Sequence, residues 1–349
     1  MSTQRAAWRT HAPLAVLGTG MALPGAGISS ADLIARIKQR FGFARSSTAR
    51  LLAERMGIAS RHICREFAAA AESALPDCSN PELAAQAVRQ ALDDAGLGVA
   101  DIDYLIAHTS TPQTQLPPSV GYVADLLGYD GPYVELRQAC TGFANGLMIA
   151  NGLLTSGTCK VVVIVGSETG SLFFDPTMLD ENPDQIVNLM QMGDGAGAIV
   201  LGPAQASPAP LITAAWFGTT ERDLAPGIKL DTGARHFSHN FARITRTGPA
   251  LFEAGVEMIA ALGLRLDEID RIIPHQASGR IGEQLAQGFK LPPDRLFVNA
   301  DRLGNTGSAA IWLAFAEIRQ AGLARGMRIA TLGAESSKYM FGGFIYEHR

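Results

Sequence analysis

The chain has 349 residues, 47% of them apolar, a net charge of −4 and a pI near 6.0. That is enough apolar chain for one large core or two domains, and it provides no strong basic field to hold nucleic acid or an anionic membrane surface. Four cysteines, Cys64, Cys78, Cys140 and Cys159, form no CxxC pair, which excludes zinc-ribbon and thioredoxin motifs, and they are too sparse for a disulfide scaffold.

The opening MSTQRAAWRTHAP is charged and leads into no apolar stretch of signal-peptide length. LGTG at 17–20 follows a strand and hints at a dinucleotide turn, but Leu23 stands where the third glycine of GxGxxG belongs. Residues 65–82, with FAAAAESALPDCSN, read as a helix running into a loop. A strand ends at His108, another reads YVEL at 133–136, and Cys140 opens an apolar helix. VVVIVG at 161–166 is strand length, far short of a membrane span. MGDGAGAIVLG at 192–202 lacks the Lys-Ser/Thr of a phosphate loop, and its glycines suit close packing of sheet and helix. The small, Pro-rich segment 204–212 reads as a joint. Without targeting or membrane signals the expected compartment is the cytoplasm, with free thiols. No His/Asp/Glu cluster has metal-ligand spacing, so no metal is expected.

Beyond the joint the pattern repeats. GLGVADIDYLIAH (96–108) is matched by GLRLDEIDRIIPH (263–275), which pairs His108 with His275. CTGFANGLMIANGLLTSG, opened by Cys140, is matched by NTGSAAIWLAFAEIRQAG, opened by Asn305; the strands ending at Glu168 and Glu335 follow. A period of about 165 residues is far beyond any solenoid repeat, so a domain is duplicated, 1–205 and 206–349. Alternating strands and helices predict an α/β fold, and fully apolar strands suit a sheet covered on both faces.

In α/β sheets chemistry gathers where strand ends turn into helices. Cys140, His275 and Asn305 all occupy such ends, and a pseudo-twofold brings them to one centre. A helix N-terminus lowers a thiol's pKa and favours the reactive thiolate. An acyl group carried on Cys140 is then a covalent intermediate. His275 and Asn305 both donate hydrogen bonds, as stabilising a thioester enolate requires. Cys64, Cys78 and Cys159 read as small buried residues, and His62, His108, His236 and His239 as structural histidines.

At these residues the chain resembles the ketoacyl-ACP synthase III group of thiolase-fold condensing enzymes. The matching pieces are LGTGMALPG (17–25), ERMGIASRHI (54–63), ACTGF (139–143), MGDGAGA (192–198), IPHQAS (273–278), LGNTG (303–307) and FGG (341–343). The resemblance implies a five-layer αβαβα fold with two mostly parallel or mixed sheets, a homodimer and no cofactor. It implies transfer of an acyl group from acyl-CoA or acyl-ACP to Cys140, then decarboxylative condensation with malonyl-ACP. It carries His275 and Asn305 over as the decarboxylation pair, the backbone N–H groups of Cys140 and Ser337 as the oxyanion hole, and Arg55 and Arg280 as contacts to the pantetheine phosphate or carrier protein. An arginine fork suits phosphate.

Departures from the family concern the acyl donor. ESSKYMFGG replaces a glycine-rich stretch, Leu51 takes the place of an aromatic that packs on adenine, and Ser278 replaces an asparagine. In the long loop TPQTQLPPS (111–119), Leu116 or Pro117 occupies the place that in relatives reaches into the partner's acyl pocket. These changes fit a specialised synthase. A non-decarboxylating acyltransferase could use the same Cys140 and His275, though Asn305 favours condensation. The intact triad argues against a silent subunit, and the broken glycine fingerprint against an oxidoreductase.

Overall fold

The computed structural model describes residues 7–67, 73–204, 209–221, 223–234 and 236–349. The first half holds β1 (Leu14–Ala22), α1 (Asn80–Ala95), β2 (Tyr104–His108), α2 (Ser119–Leu127), β3 (Tyr133–Leu136), α3 (Gly142–Thr155), β4 (Val162–Glu168) and β5 (Gly195–Pro203). The second holds β6 (Leu211–Thr219), α4 (Phe241–Ala261), β7 (Arg271–Pro274), α5 (Ile281–Phe289), α6 (Ala310–Gln320), β8 (Arg328–Glu335) and β9 (Met340–Glu347).

The strands run β3-β2-β4-β5-β1 in one half and β6-β9-β8-β7 in the other. The halves mirror each other down to a parallel bridge from Ile272 to Leu296, which takes the place of the β2–β3 pairing. They meet edge to edge, Leu211 opposite Ala15 and Ile212 opposite Leu14, so the expected two sheets are joined into one mixed ten-stranded sheet, with Trp8–Arg9 as its extra strand. Among the described strands, β2 with β3 and β4, and β7 with β8, pair in parallel.

Five layers follow from which faces are apolar. On β4, Ile164 points into a core shared with Phe143 and Leu147 of α3, Trp312 and Phe315 of α6, and Phe344 of β9. Its neighbours Val163 and Val165 point the other way, onto α1. Leu332 and Ile345 of the second half meet Leu251 and Ile259 of α4 on the far side. Helices α3 and α6 are therefore the central layer, and α1 and α4 the outer ones. Phe143 sits edge-on to Trp312 (5.7 Å, 81°) and to Phe344 (6.1 Å, 76°), an arrangement that favours aromatic pairs.

Three expectations need correction or delimiting. LGTG is no turn: it lies inside β1, where a Cβ on Gly18 would meet the Ala91 carbonyl at 2.2 Å and one on Gly20 the Ala87 carbonyl at 2.2 Å. The glycines let α1 lie directly on the sheet. The helix read into 65–82 is absent where it can be checked: Arg65–Glu66 and Ser73–Ala74 pair as short antiparallel strands, and helix starts only at Asn80, behind a Ser79/Glu82 capping box. Residues 68–72 lie outside the described residues, as do 205–208 of the proposed joint.

MGDGAGA does serve close packing. A Cβ on Gly193 would lie 1.8 Å from the Leu303 carbonyl, and the Gly193 N–H donates to the Asn305 carbonyl at 3.1 Å. Gly193→Ala is expected to cost about 3 kcal/mol by overpacking and to displace Asn305. A denaturant midpoint and a condensation assay on the same sample check both.

Candidate active site

Strand β3 ends at Leu136, and four residues later Cys140 stands just before α3, as expected. Asn305 takes the matching place before the turn that opens α6, its side-chain oxygen accepting from the Gly307 N–H at 3.0 Å. Both line one cavity of about 120 Å³ with Ser110, Glu168, Met192 and Gly193 at its base and Phe173, Phe174, Phe237 and Ile228 on its walls.

His275 is not on that lining. It follows β7, is buried, and donates its backbone N–H to the Leu332 carbonyl at 2.8 Å. One side chain ties its loop to the cavity: Gln191 donates to the Ala277 carbonyl at 2.9 Å, while the Gln191 carbonyl accepts from the Asn305 N–H at 2.7 Å. Gln276 anchors the other side of the turn. It donates to the carbonyls of Pro274 (2.7 Å) and Phe297 (3.1 Å) and accepts from the N–H groups of Asn299 (2.9 Å) and Ala300 (3.2 Å).

The sequence named Glu168 and Glu335 only as strand ends. Each crosses to the helix start of the other half. Glu335 accepts from the Thr141 N–H (2.9 Å) and hydroxyl (2.7 Å), beside Cys140. Glu168 accepts from the Ser308 N–H (3.1 Å) and hydroxyl (2.8 Å), three residues after Asn305, and from Ser110 (3.0 Å) and Thr111. Two buried carboxylates thus fix the two halves of the site against each other. The signal was in the repeat: matched glutamates closing two buried strands.

Those carboxylates also overturn an expectation. Burial, with Glu335 and Glu168 nearby, pushes the Cys140 thiol well up, although its own backbone N–H pulls the other way. The helix start does not win, and Cys140 rests as a thiol. Burial alone lowers His275 to about 4, so its imidazole is neutral, and its buried Nδ1 has no partner among the described residues.

Ser337 lies in the turn between β8 and β9 and donates its hydroxyl to Glu335, which holds that turn beside the Cys140 segment. Arg55 is exposed on the helix Ser46–Met56, one turn beyond exposed Leu51. Arg280 reaches the same place from the other half, donating to the Glu54 carbonyl at 3.5 Å and pairing with Glu283 at 3.4 Å. Leu116 is 85% exposed beside Pro117, away from the cavity of its own chain. Among the described residues, no three His, Cys, Asp or Glu side chains gather as metal ligands, and no helix is long and apolar enough to cross a membrane.

The likeness to known proteins agrees with this geometry. A family model described as 3-oxoacyl-[acyl-carrier-protein (ACP)] synthase III matches residues 134–219, and that of its C terminal matches 259–345. The chain is 32% identical to the β-ketoacyl-[acyl-carrier-protein] synthase III of Bradyrhizobium diazoefficiens, over 95% of this chain and 96% of that one. It is 31% identical to the enzyme of that name from Sphingopyxis alaskensis, over 85% and 87%. The solved structure of AbyA1, a tetronic acid condensing enzyme, superposes with a TM-score of 0.83 at 27% identity, over 96% of this chain and 99% of that one. With its duplicated α/β halves and cysteine-bearing helix start, the chain belongs to the β-ketoacyl-ACP synthase III family, acyl-transferring condensing enzymes of the thiolase fold.

Proposed function

We propose that Cys140 takes an acyl group from acyl-CoA or acyl-ACP and passes it to the carbanion formed from malonyl-ACP, releasing CO2 and 3-oxoacyl-ACP. The observation that carries this reading is that Cys140 and Asn305, the matched residues of the duplication, line one apolar cavity. In the first half-reaction the Cys140 sulfur attacks the thioester carbonyl, the donor thiol leaves, and the proton of Cys140 goes with it through neutral His275. The backbone N–H groups of Cys140 and Ser337 receive the oxyanion. In the second, the malonyl C–C bond breaks and CO2 leaves, the N–H donors of His275 and Asn305 hold the enolate oxygen while its carbon attacks the acyl carbonyl, and the acyl–sulfur bond breaks to release Cys140 as a thiolate that takes up a proton from solvent.

Arg55 and Arg280, joined at one surface by the Glu54 carbonyl, take the pantetheine phosphate or the carrier protein. Leu116 and Pro117 reach a second copy of the chain in a homodimer, which accounts for so exposed a leucine. The reading includes a cytoplasmic enzyme, divided at 205/206 and working without cofactor. With Phe173 in the position it holds, the 120 Å³ cavity fits a compact acyl group, since a cavity of about 150 Å³ holds benzene.

Intact mass after incubation with a panel of acyl-CoAs tests the reading. The expected result is one added acyl group, lost in Cys140→Ala, then a ketoacyl-ACP with CO2 once malonyl-ACP is added. Acylation followed by ester or amide formation without CO2 would move the chain to the acyltransferases. No adduct from any CoA or ACP donor would overturn the reading.

A further inference from the structure

A second cavity, of about 400 Å³, lies next to the one at Cys140, and Phe173 lines both. Nearby chain also walls both, with Ile228, Phe237 and His239 facing the inner chamber and Leu230 and Asp231 the outer. The chambers differ in character. The inner is aromatic, whereas the outer presents Gln113, Thr114, Gln115, Thr232 and Arg137, the last paired with Glu135 at 3.1 Å.

The partition is the less restrained of two adjacent rings. Phe174 is 3% exposed and locked edge-on to buried Phe67 (6.4 Å, 78°). Phe173 is half-buried, and among the described residues its one ring contact is a tilted one to Phe237 (6.2 Å, 53°), itself half-buried. The backbone beneath that contact is fixed, since the Phe237 carbonyl accepts from Gln185 (3.0 Å) and Asn188 (3.3 Å). Rotation of the Phe173 side chain therefore opens the partition without moving the backbone that carries Phe237.

We propose that Phe173 is a gate between the acyl chamber at Cys140 and the polar chamber beyond it, and that with the gate open the site takes a long acyl group with a polar distal end. The proposal rests on the reading of Cys140 as the acyl carrier. The polar lining sets the class: Gln113, Gln115 and Thr232 are exposed and open to solvent, so an alkyl tail there gains little burial, while a hydroxyl or amide on the tail bonds to them. Phe173 is a specificity-determining residue, since it touches the acyl chain and not the reacting atoms.

Unreactive amides test the gate apart from the acylation chemistry. Binding of butanamide, decanamide and 10-hydroxydecanamide is measured by calorimetry on the wild-type protein, Phe173→Ala and Phe173→Trp. In Phe173→Ala the ratio of 10-hydroxydecanamide to butanamide affinity is expected to rise about tenfold, more than that of decanamide, and in Phe173→Trp to fall by a similar factor. The paired variants guard against misfolding, because butanamide binding reports an intact inner chamber in each. Equal ratios in all three proteins would overturn the gate. An equal gain for decanamide and its hydroxylated form would overturn the polar class of the tail. Neither result depends on whether Cys140 accepts an acyl group from CoA, which the mass experiment decides separately.

Discussion

Asn305→Ala is expected to abolish condensation while leaving acylation of Cys140 nearly intact, and His275→Ala to do the same with some loss of acylation. The two half-reactions place different demands on the site. Acyl transfer needs the sulfur, a route for its proton and the backbone donors of the oxyanion hole. Decarboxylation puts a full negative charge on a thioester oxygen, which needs fixed side-chain donors in a dry pocket. Losing one such donor typically costs on the order of 10²–10³ in rate. Asn305 is also held from three sides, by the Gln191 carbonyl, the Gly193 N–H and the Gly307 N–H. Asn305→Asp keeps that geometry and removes the donor, so it separates chemistry from positioning. Single-turnover acylation by mass and CO2 release from malonyl-ACP are the two readouts. If Asn305→Ala stopped both equally, Asn305 would be a structural support of the Cys140 helix and the division of labour would fail.

The duplication made most of this site legible. Cys140 and Asn305 sit at matched positions because each half builds the same strand–turn–helix, and residue spacing alone located both. The apolar helix opened by Cys140 was legible too; it is α3, whose Phe143 and Leu147 lie in the central core with Trp312 and Phe315 of α6. What the sequence could not give was which residues cross between the halves. Glu168 bonding to Ser308, and Glu335 to Thr141, are contacts of residues 140 and 194 positions apart, and no local pattern encodes them. The protonation of Cys140 was misread for the same reason: a helix start is visible in sequence, whereas burial beside two carboxylates is a property of the assembled site. LGTG failed differently, since a glycine pair in a strand and one in a turn look alike until the helix it receives is known.

Acid is expected to destabilise the protein between pH 6.5 and 4. Burial lowers His108, His275 and His239 from 6.5 to about 4. For a base whose folded pKa is depressed, the unfolded chain binds protons first. Stability is then complete above pH 6.5 and drains away as the pH falls toward 4. His108 and His275 are each worth roughly 3 kcal/mol over that window, and the less buried His239 somewhat less. Asp194 opposes them. Burial raises it to about 6 despite bonds from the N–H groups of Cys64 (2.7 Å) and Ser171 (3.0 Å), so acid relieves a cost of roughly 3 kcal/mol there. Burial raises Glu168 in the same sense, so the net loss is smaller than the histidines' sum, against a usual total stability of about 5–15 kcal/mol. The Trp312 indole N–H donates to His108 Nε2 at 3.0 Å and thereby fixes the neutral tautomer, so protonating His108 also breaks a core hydrogen bond. Melting temperatures measured from pH 7.5 to 4.5 provide the test. His108→Gln, whose side-chain oxygen can accept from Trp312, should flatten the acid limb by roughly a third to a half, and Asp194→Asn should steepen it. A melting temperature that holds level to pH 4.5 would mean the imidazoles take up protons in the folded state, and with that the neutral His275 on which the proton transfer from Cys140 depends would be lost.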